Sequence, residues 1–537
     1  MKILSILIVF TIATRAGLAQ DRTFFNLIPD IGAEKGQCVF GSIECDSQYI
    51  YIVGDEVVSQ DSNGRKKKVK PHLTKFDYQG NLIHSKLITE DDFSKPYKYE
   101  NYPLFKRNDS IYYYIMFNWD DTTQRYLNNY IVALNMRSGQ IIKKIKVEEP
   151  LSGYIDFSTL SEMDPDLKEL LYVFRQVYPS PPISHSNYIY KYNDDLQLLS
   201  KIQIKNIQRP ITIRYITFKA GFFHLIGDEF EVKNNQFTNK GWLIYLKVDT
   251  FGNVITENKL IAPGNVNTNG GFTYTIASDG NDGYYIVTND WVLTNNNDPW
   301  KGIPYVYHVS SELDTVYWRT RFQHPLIMLG QNSSNINCMT AHKDKSGLVT
   351  CGSLNTPPIA EPDFGWIFKC SMQGDSLWTR QFQPLSWDST RAWWMVMESI
   401  RTTPYNTLVV CGRVSDRADG MIKGWLLHLD SEGCLVPGCD KVVSNADIHS
   451  GKEKAFTVYP NPIVSDHLYL LSRISDQSKF TLELIDLSGK VLHSTHFNPQ
   501  QGTQYFMQLP SDLLGGEYVL KIQGKEYKQV EKIVVIR

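Results

Sequence analysis

Between the N-terminal apolar run and a Pro-Gly turn near residue 437, the chain alternates apolar and polar positions in short runs. Turn residues such as Asn-Gly, Asp-Gly and Ser-Gly separate the runs. Period-two alternation bounded by such turns predicts half-buried strands. The runs recur in a fixed order. Pro71–Gly80, Asn129–Gly139, Asn187–Asp194, Gly241–Gly252, Gly302–Val309, Gly365–Gly374 and Gly424–Gly433 are each an alternating strand running into a turn, and their starts lie 54 to 63 residues apart. A further strand usually follows, as at Asn81–Leu87 and Ser376–Phe382. A hairpin precedes each one. The clearest hairpins are Phe272–Ala277 with Tyr284–Val287, turning at Asp279–Gly283, and Asn337–Ala341 with Leu348–Gly352, turning at Asp344–Gly347. Similar hairpins turn near Asp46, Asp109, Asp166, Ala220 and Thr403. The count is seven units of four strands.

Four-stranded units at a fixed period are the mark of a β-propeller. One twisted four-stranded sheet cannot cover both its faces, and packing such sheets around an axis covers them against their neighbours. A row of sandwiches would need about 100 residues per unit, and solenoid coils are far shorter than these repeats. The expected fold is all-β: a seven-bladed β-propeller over residues 20–440. Its last unit lacks a fourth strand after Asp430. Arg22–Leu27 resembles the unit-ending strands Trp318–Phe322 and Trp378–Phe382, so the N-terminal segment is expected to complete the last blade. Trp242, Trp366 and Trp425 each follow a glycine at one phase of the repeat, which suits packing between blades better than a ligand platform.

The chain ends divide off. Lys2, the apolar run Ile3–Ile12 and the small residues before Gln20 predict a signal peptide over residues 1–19, and no stretch is apolar for the length of a membrane span. A polar linker, 441–454, follows the repeats. Residues 455–537 then read as a small antiparallel β-sandwich with an immunoglobulin-like outline. Its strands lie around Phe456, Leu468–Leu470, Phe480–Leu492 (turning at Ser488-Gly489), Tyr505–Leu509, Gly515–Ile522 and Lys532–Ile536.

Four ordered blocks in that tail carry a resemblance: Val458 to Pro462, Asp486 to Val491, Gly516 to Ile522 and Lys532 to Val535. They resemble the type A C-terminal sorting domain of type IX secretion cargo. The resemblance implies sorting-signal roles for Tyr459, Pro460, Asn461, Pro462, Asp486, Gly489, Lys490, Gly516, Tyr518 and Lys521. It also implies partners, the type IX translocon and a surface sortase, and a product that is secreted or attached to the outer-membrane surface.

Composition changes little. With 55 basic and 57 acidic residues, no charge excess points to nucleic acid. The 12% aromatic content favours β structure. Eight cysteines are too few for a disulfide scaffold. Cys434 and Cys439 flank Pro437-Gly438, a turn that can bring the two sulfurs together, so a disulfide is expected there. It would pin local conformation more than global stability. Such a turn also resembles the ends of the bodies of type IX cargo. Cys38, Cys45, Cys338, Cys351, Cys370 and Cys411 sit mostly in apolar runs, where buried free thiols are expected. No Cys-x-x-Cys pair supports a zinc or redox motif.

No catalytic motif emerges. A Gly-x-Ser-x-Gly elbow, a His-Glu-x-x-His pair and a phosphate loop are all missing from the sequence, and no cofactor is expected. His185, His224, His308 and His428 stand singly. Ser311–Trp318 resembles a sialidase aspartate box only superficially and lacks its glycine. Asp55-Glu56, Asp228-Glu229 and Asp290 read as turn carboxylates, with binding of sugar or calcium as the alternative for Asp55 and Asp228. Two functions from different classes follow. One is a surface or secreted propeller that binds a glycan or protein partner without catalysis. The other is a hydrolase or lyase for polysaccharide or peptide, its residues gathered from several blades.

Overall fold

The computed structural model describes residues 24–29, 38–60, 66–88, 93–94, 104–120, 125–147, 154–160, 170–178, 186–207, 209, 211–233, 236–260, 268–281, 283–292, 301–322, 333–355, 364–383, 393–416, 422–435, 455–459, 461, 463, 466–474, 478–486, 490–500, 503–525 and 527–535. Seven antiparallel sheets follow one another along the body. Blade 1 is Cys38–Cys45, Tyr49–Gln60, Lys66–Asp77 and Leu82–Leu87, with Phe93–Ser94 added beside its third strand. Blade 2 is Phe105–Lys106, Ile111–Asp120, Arg125–Asn135 and Gln140–Lys146. Blade 3 is Tyr154–Leu160, Leu170–Tyr178, Ser186–Asn193 and Leu198–Ile204. Blade 4 is Ile211–Lys219, Phe222–Lys233, Gln236–Asp249 and Val254–Leu260. Blade 5 is Thr268–Ser278, Gly283–Val292, Lys301–Ser310 and Val316–Arg321. Blade 6 is Ser333–Ala341, Leu348–Asn355, Phe364–Cys370 and Ser376–Phe382. Blade 7 is Trp393–Thr402, Leu408–Asp416 and Ile422–Leu429. Its fourth strand is Phe25–Leu27, which pairs with Leu426–His428.

The ring is closed by its packing. Seven apolar clusters each take residues from two consecutive blades. Leu73 meets Leu134 between blades 1 and 2, Ile131 meets Tyr190 between 2 and 3, and Ile189 meets Ile244 between 3 and 4. Tyr245 meets Tyr307 between 4 and 5, Val287 meets Ile336 between 5 and 6, and Cys351 meets Met397 between 6 and 7. The seventh cluster joins Phe40 of blade 1 to Cys411 and Leu426 of blade 7. Seven seams for seven sheets leave no open face, so the body is a seven-bladed β-propeller. The first strands of blades 3, 4, 5, 6, 7 and 1 touch in turn and therefore line the axis. Trp366 is fully buried and stacks on Phe322 of blade 5 at 4.0 Å. Trp425 lies against Gly365 of blade 6, where any Cβ would sit 2.6 Å from the indole. Trp242 is half-buried in the seam between blades 3 and 4. These three tryptophans are packing residues, and the glycines before Trp366 and Trp425 make room for the neighbouring blade.

The outer rim is latched blade to blade. The Trp318 indole N–H of blade 5 donates to Met372 O of blade 6 at 3.1 Å, and the Trp378 indole of blade 6 donates to Glu432 Oε2 of blade 7 at 3.0 Å. Asn258 of blade 4 donates to Glu312 O of blade 5 at 2.7 Å, and Lys86 and Lys143 each reach the turn of the next blade at Ser138 and Asp195. The outer strands of blades 1 to 6 also share a bulge just after their turn. The extra residues are Ile83, Ile142, Leu199, Ile255, Tyr317 and Leu377, and all six are exposed. A bulge there bends the outer edge and blunts strand-to-strand association with another chain.

The tail forms two facing sheets. One contains Phe456–Tyr459, His467–Ser472 and Gln504–Gln508. The other contains Val491–Phe497, Phe480–Ile485, Gly516–Gln523 and Lys528–Val535. Their inner faces share one core that includes Phe456, Leu470, Phe480, Leu484, Leu520 and Ile533, the small sandwich expected from the alternation. Residues 1–19, the linker 441–454 and the expected turn at Asp166 lie outside the described residues. Among the described residues, no helix is long and apolar enough to cross a membrane.

Candidate functional site

One device recurs on the innermost strands. The first strand of blades 1, 3, 4, 5, 6 and 7 carries a bulge, with Gly41, Asp156, Arg214, Tyr274, Asn337 and Glu398 as the extra residues. The strand opposite carries a glycine in four of these blades: Gly54, Gly227, Gly352 and Gly412. A Cβ on Gly352 would lie 1.8 Å from Asn335 O, and one on Gly412 would lie 2.0 Å from Val396 O. The bulge brings the inner strand too close for any side chain there. This overturns the turn reading of Asp55-Glu56, Asp228-Glu229 and Asp290. All five lie inside second strands, and the glycine before Asp55 and Asp228 serves the bulge.

The bulges place charge on the axis in paired form. Glu398 and Arg413 are both buried, with Nη2 to Oε1 at 2.9 Å. Burial holds the Glu398 carboxyl above the usual range, and the Arg413 charge offsets part of that. Arg214 Nε stands 3.5 Å from Asp228 Oδ2, the latter fully buried. Arg209 donates to Glu229 Oε2 at 2.8 Å and its Nη2 stands 2.5 Å from Glu257 Oε1, while Lys259 reaches Glu229 Oε1 at 2.8 Å. Lower on the axis, Arg401 of blade 7 donates to Glu44 Oε1 of blade 1 at 2.8 Å, and its Nη1 lies 3.6 Å from Cys338 Sγ of blade 6. Arg401 keeps 28% of its side-chain exposure although it stands on an innermost strand. Its side chain is therefore partly open to solvent.

A second cluster in blade 1 resembles a catalytic set in composition only. His72 Nε2 is 2.8 Å from Ser85 Oγ and 4.0 Å from Glu56 Oε2, and its Nδ1 is 3.1 Å from Thr74 Oγ1 and 4.0 Å from Cys38 Sγ. In a Ser-His-acid triad the acid holds the nitrogen opposite the serine. Here both approach the same nitrogen. Burial, then the charge of His84, lowers the His72 pKa to about 4, so the imidazole is neutral at pH 7 and cannot favour a Cys38 thiolate. Other histidines also have structural partners: His224 with Tyr245 Oη at 2.7 Å, His308 with Asp279 at 2.9 Å and His428 with Thr407 at 3.0 Å. His185 lies outside the described residues. The described residues contain no group of three or more His, Cys, Asp or Glu able to hold a metal.

Most of the described residues expected to carry the sorting signal lie near one end of the tail sandwich. Tyr459 stacks on Tyr469 with centroids 5.8 Å apart. Asn461 donates to Lys532 O at 2.9 Å and accepts from Val534 N–H at 3.0 Å, so one side chain clamps the bend to the last strand. Gly516 pairs with Val535 beside that clamp. The pair Ile485 with Val519 sets the turn at Asp486 next to Tyr518. Asp486 Oδ1 accepts from Lys490 N–H at 3.0 Å, and the Tyr518 hydroxyl donates to Leu514 O at 2.7 Å. Lys521 stands apart, paired with Glu483 at 2.9 Å. Pro460, Pro462 and Gly489 lie outside the described residues, as does Cys439. Cys434 is buried, and the other six cysteines are free thiols.

Residues 457–536 match the Secretion system C-terminal sorting domain family. The chain is cargo of the type IX secretion system. It is therefore exported, to the cell surface or beyond. No curated protein matches the sequence. Among solved structures, the Dos1 propeller is similar over 75% of this cargo chain and 94% of its own, at 9% identity and a TM-score of 0.38. Drosophila Semaphorin 2a covers 96% and 97% at 8% identity and 0.39. The GH93 alpha-L-arabinofuranosidase of Fusarium graminearum, in complex with arabinobiose, covers 77% and 99% at 10% identity and 0.36. At these scores the propeller rests on its own sheets and seams.

Sequence reasoning missed the axial ion pairs. Glycine at one phase of the second strand in blades 1, 4, 6 and 7 is the signal that could have located the bulges, and with them Arg214, Asn337 and Glu398.

Proposed function

We propose that this exported propeller binds a ligand, a glycan or a protein partner, without transforming it. Residues 1–19 serve as signal peptide, 20–440 as the binding body, 441–454 as linker and 455–537 as the sorting domain. The translocon reads the tail and a surface sortase processes it, through Tyr459 to Pro462, Asp486, Gly489, Lys490, Gly516, Tyr518 and Lys521. Cys434 pairs with Cys439 and fixes the end of the body. The observation that carries the binding reading is the pairing of interior carboxylates. Glu44, Asp228, Glu229 and Glu398 each face an arginine, in the geometry of structural ion pairs. Glycoside cleavage needs two carboxyl groups that flank the bond and differ in protonation.

Glu398 favours the second reading, a propeller hydrolase or lyase acting on polysaccharide or peptide. It is a carboxyl of raised pKa on an innermost strand, the environment in which general acids are found. A polysaccharide and glycan panel on the full chain, scored for both capture and product release, separates the two. Capture without release supports binding. Release that disappears in Glu398→Gln overturns it in favour of catalysis.

A further inference from the structure

Two of the free cysteines stand opposite each other in one ladder. Cys338 on the first strand of blade 6 is the cross-strand partner of Cys351 on the second. Opposed residues of an antiparallel pair have Cα atoms about 4.5–5.5 Å apart, inside the roughly 4.4–6.8 Å window of a disulfide. Both side chains enter the same seam, between blades 6 and 7. Cys338 Sγ lies 3.9 Å from Ser399 Oγ, and Cys351 Sγ lies 3.9 Å from Met397 O, both on the innermost strand of blade 7. None of the other four free thiols has a cysteine opposite it in a ladder. Cys38 and Cys411 share a seam but belong to different sheets. Cys370 lies in the seam between blades 5 and 6.

The two thiols are not equivalent. Cys338 has the Arg401 guanidinium at 3.6 Å, and the Arg401 side chain is partly exposed. The nucleophile in thiol–disulfide exchange is a sulfur, and the Arg401 N–H is placed to donate to this one. Cys351 has no exposure, and its thiol pKa is pushed up, first by burial and then by the neighbouring Cys338 and Cys411 sulfurs.

We propose that Cys338 and Cys351 are a redox pair that closes as a cross-strand disulfide in the exported protein. The proposal rests on export, because disulfides persist outside the cytosol, and not on what the propeller binds. The oxidant is a small-molecule disulfide. The Cys338 thiolate attacks one of its sulfurs, forms a mixed disulfide and releases one thiolate. Cys351, on losing its proton, attacks the Cys338 sulfur of that mixed disulfide and releases the second. Two thiols of the protein are oxidised, one disulfide is reduced to two thiols, and the protons leave with them. The new bond ties the inner-strand bulge at Asn337 to the strand behind it. Asn337 in turn donates to Met397 O of blade 7 at 2.8 Å, so the bond would hold the seam nearest the axial Arg401–Glu44 pair.

The test uses the purified full-length chain, incubated with oxidised glutathione, alkylated in denaturant and mapped by peptide mass. The expected result is a Cys338–Cys351 cross-linked peptide two hydrogens lighter than its parts, reversed by dithiothreitol, with Cys38, Cys370 and Cys411 fully alkylated. Cys351→Ser should trap a glutathione adduct on Cys338, and Arg401→Gln in that background should slow its formation. Full alkylation of both cysteines after oxidant treatment overturns the proposal, as does a link from either one to Cys411 or Cys38. The wild-type map needs no substitution, so it decides the matter even where a variant fails to fold.

Discussion

The indole N–H of Trp425 donates to the side-chain oxygen of Asn26 at 2.7 Å, across 399 residues of sequence. Both residues are buried. Asn26 also donates to Gln383 O of blade 6 at 2.6 Å. The three-residue strand Phe25–Leu27 thus brings more than backbone pairing to blade 7. Its Asn26 fills a buried polar niche between the last two blades, and Phe25 and Leu27 cover Gly80 in the outer turn of blade 1.

Asn26→Ala is expected to lower stability by about 1–3 kcal/mol, the range for a buried donor left without an acceptor. Deleting residues 20–29 should do more, because it bares the edge of Ile422–Leu429 and opens the ring. Thermal melts of the full chain, read with light scattering, check both. A deletion that melts like the parent would mean the ring closes without this strand.

His72 makes stability depend on pH. Its pKa is 6.5 when unfolded and about 4 when folded, so the unfolded chain binds more protons between those values. The neutral ring contributes in full above pH 6.5, and that contribution is lost as pH falls towards 4. The shift corresponds to about 3 kcal/mol. Burial lowers the His224 and His342 pKa in the same direction. Melting temperature should fall from pH 7 to pH 4.5, and His72→Gln should flatten part of that slope. An unchanged slope in the variant would place the sensitivity elsewhere.

What the sequence disclosed and what it withheld follow from how far each signal reaches. Strand alternation, the turn at Asp279–Gly283 and the glycines before Trp366 and Trp425 are local, so the seven units and their tryptophan packing could be read directly. The closing strand was legible because Trp318–Phe322 and Trp378–Phe382 supplied a pattern for it. Bulges hid the rest. An extra residue such as Asn337 or Glu398 shifts the alternation by one, so counting from the turn goes out of register beyond it, as at Ser334, which the ladder sets opposite Leu354. For the same reason Gly54-Asp55 and Gly227-Asp228 look like turns. The partner of Glu398 lies on a neighbouring strand, at a distance in sequence that no motif marks.

Asn461 should couple tail folding to export. Its side chain makes two hydrogen bonds to Lys532 and Val534 of the last strand, beside the backbone bond from Ile463 N–H to Val534 O. Asn461→Ala removes both, at about 1 kcal/mol each, and leaves the propeller untouched. The expected outcome is intracellular or periplasmic retention with an unchanged melting transition of the body, seen by fractionating cells that express the full chain. Normal surface delivery would show that the translocon tolerates a loosened bend.

The buried Glu398–Arg413 pair should reveal itself by an opposite pH sign. Removing one partner of such a pair costs about 3–5 kcal/mol, because the other is left charged in a site built for two. Arg413→Met therefore should destabilise strongly, and Arg413→Met with Glu398→Leu should recover much of the loss. In the single variant Glu398 keeps the burial that raises its pKa and loses the charge that offsets it. An acid whose folded pKa is raised is stabilising when protonated, so this variant should gain stability as pH falls through that pKa and lose it again as pH rises. Parent and variant melts between pH 5 and 8 should therefore diverge upward with pH. Parallel curves would mean that the Glu398 carboxyl is solvated, and its pairing with Arg413 would then be incidental to the axis.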